Sequence, residues 1–192
     1  YKKKPCSIKI IDITKSEAVK KEFVLWNEYK TNENFLNLTG VCIKGDEAYL
    51  VFEFFAFTIE FALKQNLITE DNRSDLVKQC LYIISVLQND ERKTSDIRPG
   101  LFGITDQVVV KLLDFGTSVS DALFNNDLIV DERMKYQTPE YFRYKGEELN
   151  YDLWSTGCFL IDMYSTEEPI YNKKMTQKEL VNGIFEEKNY PR

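Results

Sequence analysis

The alternation of apolar and polar residues predicts strands in the first third of the chain. Cys6 to Asp12 predicts a short strand, and Phe35 to Cys42 predicts a strand or extended run. Glu47 to Phe54 has the clearest strand pattern and follows a Lys-Gly-Asp turn at residues 44 to 46, so we expect a hairpin there. Ser16 to Lys30 has the spacing of a helix with one apolar face. These patterns predict a small lobe of strands with one helix.

Helical spacing dominates after Phe57, apart from a β-branched run at Val108 to Leu113. One helical segment, Tyr151 to Tyr164, is apolar on nearly all faces and is expected to be buried. The predicted helices are Thr58 to Gln65, Glu70 to Leu87, Tyr151 to Tyr164, and Thr176 to Glu187 with a capping box from Thr176 and Glu179. We therefore expect an α+β chain with a small β lobe at residues 1–57 and a larger, mainly helical lobe at residues 58–192.

The composition narrows the possible chemistry. The 192 residues include no histidine, which excludes Ser-His-Asp and Cys-His nucleophiles and all zinc sites that use histidine. A metal site would need carboxylates and a hard ion such as Mg²⁺. Lys and Arg total 25 against 31 for Asp and Glu, a net charge of −6. This balance argues against a dedicated nucleic-acid binder and against an anionic membrane surface as partner.

The cysteines and the apolar windows indicate an intracellular protein. The four cysteines form no Cys-x-x-Cys pair, and we expect them to be buried free thiols of a reducing compartment. The most apolar window, Ala48 to Phe57, is interrupted by Glu53 and is too short to span a bilayer. No secretory signal pattern opens the sequence. We therefore expect a cytoplasmic or nuclear location and no membrane segment.

Three segments carry candidate chemistry, and their order is more informative than any one of them. They are the Asp96-Ile-Arg98-Pro99 loop, the Asp114-Phe115-Gly116 turn after an apolar strand, and Thr138-Pro139-Glu140 followed by Asp152-Leu-Trp154-Ser155. In this order and spacing they resemble the motifs of a eukaryotic-type protein kinase domain of the Ser/Thr type. The resemblance runs from Cys6 to the end of the chain and implies a bilobal kinase-like fold.

The resemblance also implies a nucleotide site with ATP and Mg²⁺ as cofactors. Lys9, in Ser7-Ile8-Lys9, matches the lysine that steadies the α- and β-phosphates, and Asp114 matches the aspartate that holds Mg²⁺. Asp96 matches the aspartate that orients the substrate hydroxyl, and Arg98 stands where the family has a lysine. The residues that resemble the gatekeeper and the hinge, whose backbone meets adenine, are Phe52, Glu53 and Phe54. The implied partner or substrate is a protein.

The acid that should pair with Lys9 has two interpretations. Counting back from Asn34 arrives at Phe23, and Glu22 lies one residue away. Glu22 is the partner if the helix carries one additional residue. The alternative is that Glu22 is a solvated surface acid.

The departures from the family pattern cluster where the chemistry should occur. Thr94-Ser95 replaces His-Arg, and Leu101 replaces the asparagine that binds the second Mg²⁺, although leucine offers no oxygen ligand. Gly103 stands where the family packs an apolar side chain beneath adenine, which predicts the loss of part of the pocket floor. The Gly-rich loop, the first two strands and the final helices of the family are not found in the sequence. We expect either an incomplete piece or a reduced core.

Three hypotheses about function follow. The favoured one is a pseudokinase with a scaffolding or regulatory role and at most weak ATP binding, because structural motifs are retained while catalytic ones depart. The first alternative is an active Ser/Thr kinase that transfers the ATP γ-phosphate to protein hydroxyls with unusual metal ligation. The second alternative is a structural subunit of a larger assembly that uses no nucleotide.

Overall fold

The computed structural model describes residues 4–13, 16–92, 94, 97–115, 134–138, 141, 152–165 and 176–185. By compactness the chain divides into two units. The first contains Tyr1–Glu91 and Gly100–Ser118, and the second contains Arg92–Pro99 and Val119–Arg192. These compact units are not the two predicted lobes, since the first unit contains residues 58–91 as well as the strands. The predicted lobe boundary at residue 57 therefore stays a prediction.

The first unit begins with a three-stranded antiparallel sheet. Its strands are β1 (Ser7–Asp12), β2 (Leu38–Lys44) and β3 (Glu47–Phe52), in the order β1-β3-β2. The predicted hairpin between β2 and β3 is confirmed, and Gly45 adopts the left-handed φ of 60° that its turn requires. The second strand begins later than predicted because Phe35 pairs outside this sheet, in an isolated bridge to Leu112.

Helix α1 (Ser16–Glu28) follows β1 and buries one face. Trp26 on α1 and Tyr29 just beyond its end are 1% and 8% exposed, whereas Phe23 and Val24, which precede them on α1, are 47% and 53% exposed. This contrast is what a 3.6-residue period produces when one stripe of a helix faces the core. The apolar residues of α1 therefore divide between the core and the solvent.

A second small sheet lies in the same unit. Its strands are β4 (Phe57–Thr58), β5 (Phe102–Ile104) and β6 (Val110–Leu112), antiparallel in the order β4-β5-β6. The apolar run at Val108 to Leu113 predicted β6, but the pattern did not predict β4 or β5. Strands of two and three residues are too short for an alternation of apolar and polar residues to be recognised in the sequence.

Two capped helices complete the first unit. Helix α2 (Ile59–Lys64) is capped at its N-terminus by Thr58, whose hydroxyl accepts a hydrogen bond of 3.1 Å from the N–H of Phe61. Helix α3 (Glu70–Asn89) begins with a capping box of Thr69 and Asn72. The buried residues of α3 recur at helical spacing along one face, namely Leu76, Val77, Cys80, Ile83, Ile84 and Leu87.

The second unit contains α4 (Asp152–Tyr164) and α5 (Gln177–Phe185). The expected burial of α4 is found on one side of the helix only, and Leu153 is 79% exposed. The predicted capping box of α5 is confirmed, since Thr176 and Glu179 exchange hydrogen bonds of 2.8 and 3.3 Å. Among the helices of the described ranges, none combines the length and apolarity needed to cross a bilayer.

The cysteines divide into two pairs by exposure. Cys80 and Cys158 are buried free thiols, as predicted, and burial raises the pKa of Cys158 to about 12. Cys6 and Cys42 are exposed, so the prediction of burial is wrong for these two. Both lie at or beside strands of the first sheet, which has partly exposed faces.

Candidate functional site

A buried acid and a strand lysine form the centre of the candidate site. The ammonium of Lys9, on β1, lies 2.6 Å from Oε1 of Glu22 on α1 and 2.8 Å from Oδ2 of Asp114. The Glu22 side chain is only 3% exposed, so it is not a solvated surface acid. Lys9 and Asp114 are 26% and 31% exposed. Three residues that are far apart in the sequence thus form one charged cluster with two solvent-accessible members.

Opposing effects act on the protonation of Lys9. Burial lowers the pKa of its ammonium, but the negative charge of Asp114 and hydrogen bonds to Asp114 and Glu22 raise it by more. The pKa of Lys9 is therefore raised above its ordinary value, and the side chain is a cation at neutral pH. Such a cation can bind an anionic ligand, and the adjacent carboxylate of Asp114 can bind a hard metal ion.

Helix α1 holds Glu22 in place through the residue one turn later. The indole N–H of Trp26 donates to Oε1 of Glu22 at 3.3 Å. The Trp26 ring makes edge-to-face contacts with Phe52 at 4.9 Å and with Phe115 at 4.5 Å between ring centroids. Oε1 of Glu22 thus accepts from both the Trp26 indole and the Lys9 ammonium, so the acid is held between the aromatic core and the strand.

Phe115, directly after Asp114, is fixed in the same aromatic cluster. It is 4% exposed and stacks on Tyr29 and Phe35 at centroid distances of 5.5 and 6.0 Å. Tyr29 and Phe35 stack on each other at 4.3 Å, nearly parallel. Because the ring of Phe115 is buried, the backbone that carries Asp114 has little freedom, and the carboxylate stays beside Lys9.

The end of α1 is also tied to the end of α3. The Tyr29 hydroxyl donates a 2.6 Å hydrogen bond to Oδ2 of Asp90, the residue that caps α3. A hydrogen bond to a charged acceptor is stronger than one between neutral groups. The position of α1, and so of Glu22, therefore depends on a contact far from Lys9 in the sequence.

The residues predicted to form the gatekeeper and hinge lie at and beyond the end of β3. Phe52 is buried against Trp26, and Phe54 is 47% exposed. The Glu53 carboxylate accepts hydrogen bonds from the Lys111 ammonium at 2.8 Å and from the Asn37 N–H at 2.9 Å. This ion pair joins the predicted hinge to β6, the strand that leads to Asp114. The sequence did not indicate the role of Lys111.

The second sheet places an unpredicted contact beside the charged cluster. A Cβ atom on Gly103 would lie 2.8 Å from Cδ2 of Leu113 and 3.0 Å from Cδ2 of Phe55. The space beside Gly103 is therefore filled, and the expected gap in the pocket floor is not present there. A glycine inside a strand is a signal of such close approach, but it does not identify which residues approach.

The remaining predicted residues are placed as follows. Leu101 is 2% exposed, so its side chain lies in the core and supplies no oxygen. Arg98 is half-buried in the second unit, and Asp96 lies outside the described residues. Also in the second unit, the Thr94 hydroxyl donates to Oδ1 of the buried Asp152 at 3.0 Å. Lys9, Glu22 and Asp114 are thus the predicted residues that the structure brings together.

The cluster fits the phosphate end of a magnesium–nucleotide complex. Lys9 provides a partly exposed cation for phosphate oxygens, and Asp114 provides one oxygen ligand for Mg²⁺, which usually keeps several waters and phosphate ligands. The buried Leu101 does not fit a second metal ion. The arrangement can therefore bind a charged phosphate group with one metal ion.

Comparison with known proteins matches this chain to one family model and to several relatives. A family model described as "Protein kinase domain" matches residues 2–190. The Serine/threonine-protein kinase pakG of Dictyostelium discoideum is 26% identical over 180 residues, which cover 91% of this chain and 15% of that protein. The rat Serine/threonine-protein kinase PAK 5 is 25% identical over 184 residues, which cover 91% of this chain and 25% of that protein.

A third relative has a similar sequence identity to this chain. The Extracellular signal-regulated kinase 2 of Dictyostelium discoideum is 24% identical over 181 residues, which cover 88% of this chain and 48% of that protein. The chain thus spans between 15% and 48% of the length of these three relatives.

Proposed function

This chain belongs to the protein kinase domain family, and on that premise we propose that it is a pseudokinase-type domain. It binds ATP weakly through Lys9 and Asp114 and acts by regulating or scaffolding a protein partner. The single observation that supports nucleotide binding is the Lys9 ammonium, within 2.8 Å of both Glu22 and Asp114. The α+β fold of the family is present around this cluster.

In this proposal each residue of the cluster has one task. Glu22 orients the Lys9 ammonium, because the acid is itself held by Trp26. Lys9 binds the phosphates, and Asp114 holds the metal ion. Bound Mg²⁺ would neutralise phosphate charge. The contacts of Lys9 with Glu22 and Asp114 support these tasks, and none of the tasks requires a covalent step.

The residue at the position of the second metal ligand supports a pseudokinase that does not transfer phosphate. Leu101, where the family has the second metal ligand, is buried and apolar. Charge neutralisation contributes most of the catalysis in phosphoryl transfer, so a site with one metal ion is poorly suited to catalyse it. The Thr94 hydroxyl at the position of the family's histidine bonds to Asp152 instead of adding an aromatic ring to the core.

An active Ser/Thr kinase is the second candidate. It is favoured by the same ion-paired cluster, since an intact Lys9–Glu22 pair is what an active site of this family requires. Its catalytic aspartate would be Asp96, which lies outside the described residues. The substrate and the partner of the whole protein are proposals under either candidate.

Nucleotide binding is tested by the thermal unfolding of this domain in ATP, with and without Mg²⁺. At 100 times its dissociation constant a ligand adds about 2.7 kcal/mol of stability. We expect a Mg²⁺-dependent increase that Asp114→Asn abolishes. The matched control is Asp106→Asn, which removes an exposed acid from a turn and should leave the increase unchanged.

Transfer is then tested with ATP labelled in the γ-phosphate. The pseudokinase proposal predicts no more labelled protein from the unmodified domain than from Asp96→Asn. Transfer that Asp96→Asn eliminates would instead establish the active kinase. If millimolar ATP does not stabilise the domain, both the nucleotide-binding pseudokinase and the active kinase are overturned, and the structural-subunit hypothesis remains.

A further inference from the structure

The Lys9 ammonium connects two carboxylates that differ in burial. It lies 2.6 Å from Oε1 of Glu22 and 2.8 Å from Oδ2 of Asp114. The side chain of Glu22 is 3% exposed, whereas that of Asp114 is 31% exposed. A lysine ammonium has three donors, so both contacts are made at the same time. Lys9 therefore joins a buried acid to an acid that solvent and ligands can reach.

The contact of Lys9 with Glu22 is the more firmly held of the two. Glu22 also accepts a 3.3 Å hydrogen bond from the indole of Trp26, a side chain that is 1% exposed in the core. Asp114 belongs to a different segment, which follows β6. The stem of a lysine is flexible and its ammonium can rotate its donors. Lys9 can therefore exchange Asp114 for another anion while it keeps its contact with Glu22.

The Asp114 carboxylate is also the oxygen ligand that the charged cluster offers to a hard divalent cation. Two cations that share one carboxylate repel each other. Water screens only part of this repulsion, because the side chains of Lys9 and Asp114 are 26% and 31% exposed. The ammonium and a divalent cation therefore compete for Asp114. A phosphate oxygen relieves the competition, because it gives the ammonium a different acceptor.

We propose that the ion pair between Lys9 and Asp114 excludes a free divalent cation, and that the site admits the metal only with a phosphate-bearing ligand that engages Lys9. The inference rests on the proposed nucleotide binding and specifies how that site selects its ligands. Metal–phosphate complexes bind, whereas the free metal ion does not compete with them. By thermodynamic linkage, phosphate and metal each increase the affinity of the site for the other by the same factor.

The test uses Mn²⁺, a cation that suits the same oxygen ligands as Mg²⁺ and whose free concentration is measured by electron paramagnetic resonance. Lys9→Met should bind Mn²⁺ alone about ten-fold more tightly than the unmodified domain, because the competing cation is removed. Calorimetry should show that the same variant binds Mn²⁺-tripolyphosphate more weakly, because the phosphates lose their cation. A general loss of structure would weaken both ligands, so opposite changes identify competition.

Three variants serve as controls. Lys9→Arg keeps a cation and should leave the binding of Mn²⁺ alone weak. Lys78→Met removes a lysine that lies 3.2 Å from Asp75 on the exposed surface, and it should change neither affinity. Lys9→Met/Glu22→Leu leaves no buried acid without its partner, so it carries the test if Lys9→Met does not fold. It should also bind Mn²⁺ more tightly, because Asp114 is retained. Thermal unfolding establishes which variants are folded.

The outcomes separate this inference from the proposed function. Adding Asp114→Asn to Lys9→Met should abolish the gain in Mn²⁺ affinity. A gain that persists, equal Mn²⁺ affinities with and without Lys9, or no Mn²⁺ binding by either protein would overturn the exclusion. Stabilisation of the unmodified domain by Mg²⁺-ATP would then still support the proposed function. Tighter Mn²⁺ binding by Lys9→Met without any stabilisation by Mg²⁺-ATP would support the exclusion of the free ion and overturn the proposed nucleotide binding.

Discussion

Replacement of Lys9 by methionine tests the central ion pair independently of any ligand. Methionine keeps the length and apolar stem of the side chain and removes the charge. Glu22, whose side chain is 3% exposed, would then keep the 3.3 Å hydrogen bond from the Trp26 indole but lose its 2.6 Å bond to the ammonium. Asp114, 31% exposed, would lose a partner that water can partly replace.

The expected loss of stability follows from the burial of Glu22. Removing one member of a buried ion pair costs about 3–5 kcal/mol, because the remaining charge is left without compensation. Lys9 is 26% exposed, so water screens part of the interaction, and we expect the lower end, about 3 kcal/mol. In the double variant Lys9→Met/Glu22→Leu no charge remains buried, and most of the lost stability should return.

The pH dependence follows from the raised pKa of Lys9. A group whose folded-state pKa is raised contributes stability that is complete below its unfolded value, here 10.5, and is lost as pH rises through the folded-state value. Both pH 7 and pH 9 lie below 10.5. The part of the difference in unfolding free energy between the unmodified domain and Lys9→Met that comes from this group should therefore be equal at these two pH values. A decline between these pH values would contradict the assignment of the cation.

Urea unfolding, followed by circular dichroism, measures these differences. Lys78→Met is the matched control, because Lys78 and Asp75 are 72% and 75% exposed and such surface pairs contribute about 0.5 kcal/mol or less. The buried-pair reasoning would be refuted if Lys9→Met lost less than about 1 kcal/mol of unfolding free energy. It would also be refuted if the losses of the two single variants simply added in the double variant.

Three other variants or measurements test the surrounding structure. Tyr29→Phe removes only the hydroxyl that bonds to Asp90 and should cost about 1.5 kcal/mol in urea unfolding; no loss would mean that this contact does not hold α1. Thr94→Val keeps the shape but removes a hydrogen bond to the buried Asp152, and calorimetry should show a loss of about 2 kcal/mol, whereas a neutral result would contradict the observed bond. Mass spectrometry after iodoacetamide treatment at pH 8 should find the two exposed cysteines alkylated well before Cys158, whose pKa is raised to about 12, and equal rates would refute its burial.

Much of the candidate site could be predicted from the sequence because its residues occur in recognisable local contexts. Lys9 lies in a strand with alternating exposure, and Asp114 follows an apolar run that forms β6. Whether Glu22 pairs with Lys9 or is a solvated acid could not be decided from the sequence, because a shift of one residue on a helix changes the direction of a side chain by about 100°. The structure shows Glu22 facing Lys9 and Phe23 47% exposed.

The sequence was misleading where the outcome depends on neighbours that are distant along the chain. Gly103 suggested a gap, yet Phe55 and Leu113 fill it from two other segments. The apolar composition of α4 suggested burial, yet Leu153 is largely exposed. The residue types of a segment give the chemistry of its side chains but not which side chains pack against them. Packing of this kind therefore cannot be predicted from a single segment.

By itself, then, the sequence determined the helices and longer strands, the absence of histidine chemistry, and the residue types of the charged cluster. These depend on periodicity and on local residue identity, which are properties of contiguous segments. Only the tertiary structure decided that Glu22 is the partner of Lys9, that Trp26 and Tyr29 hold α1 in position, and that Gly103 is matched to an aromatic ring. Each of these depends on side chains brought together from separate segments, where distances of a few tenths of an ångström decide between contact and clash.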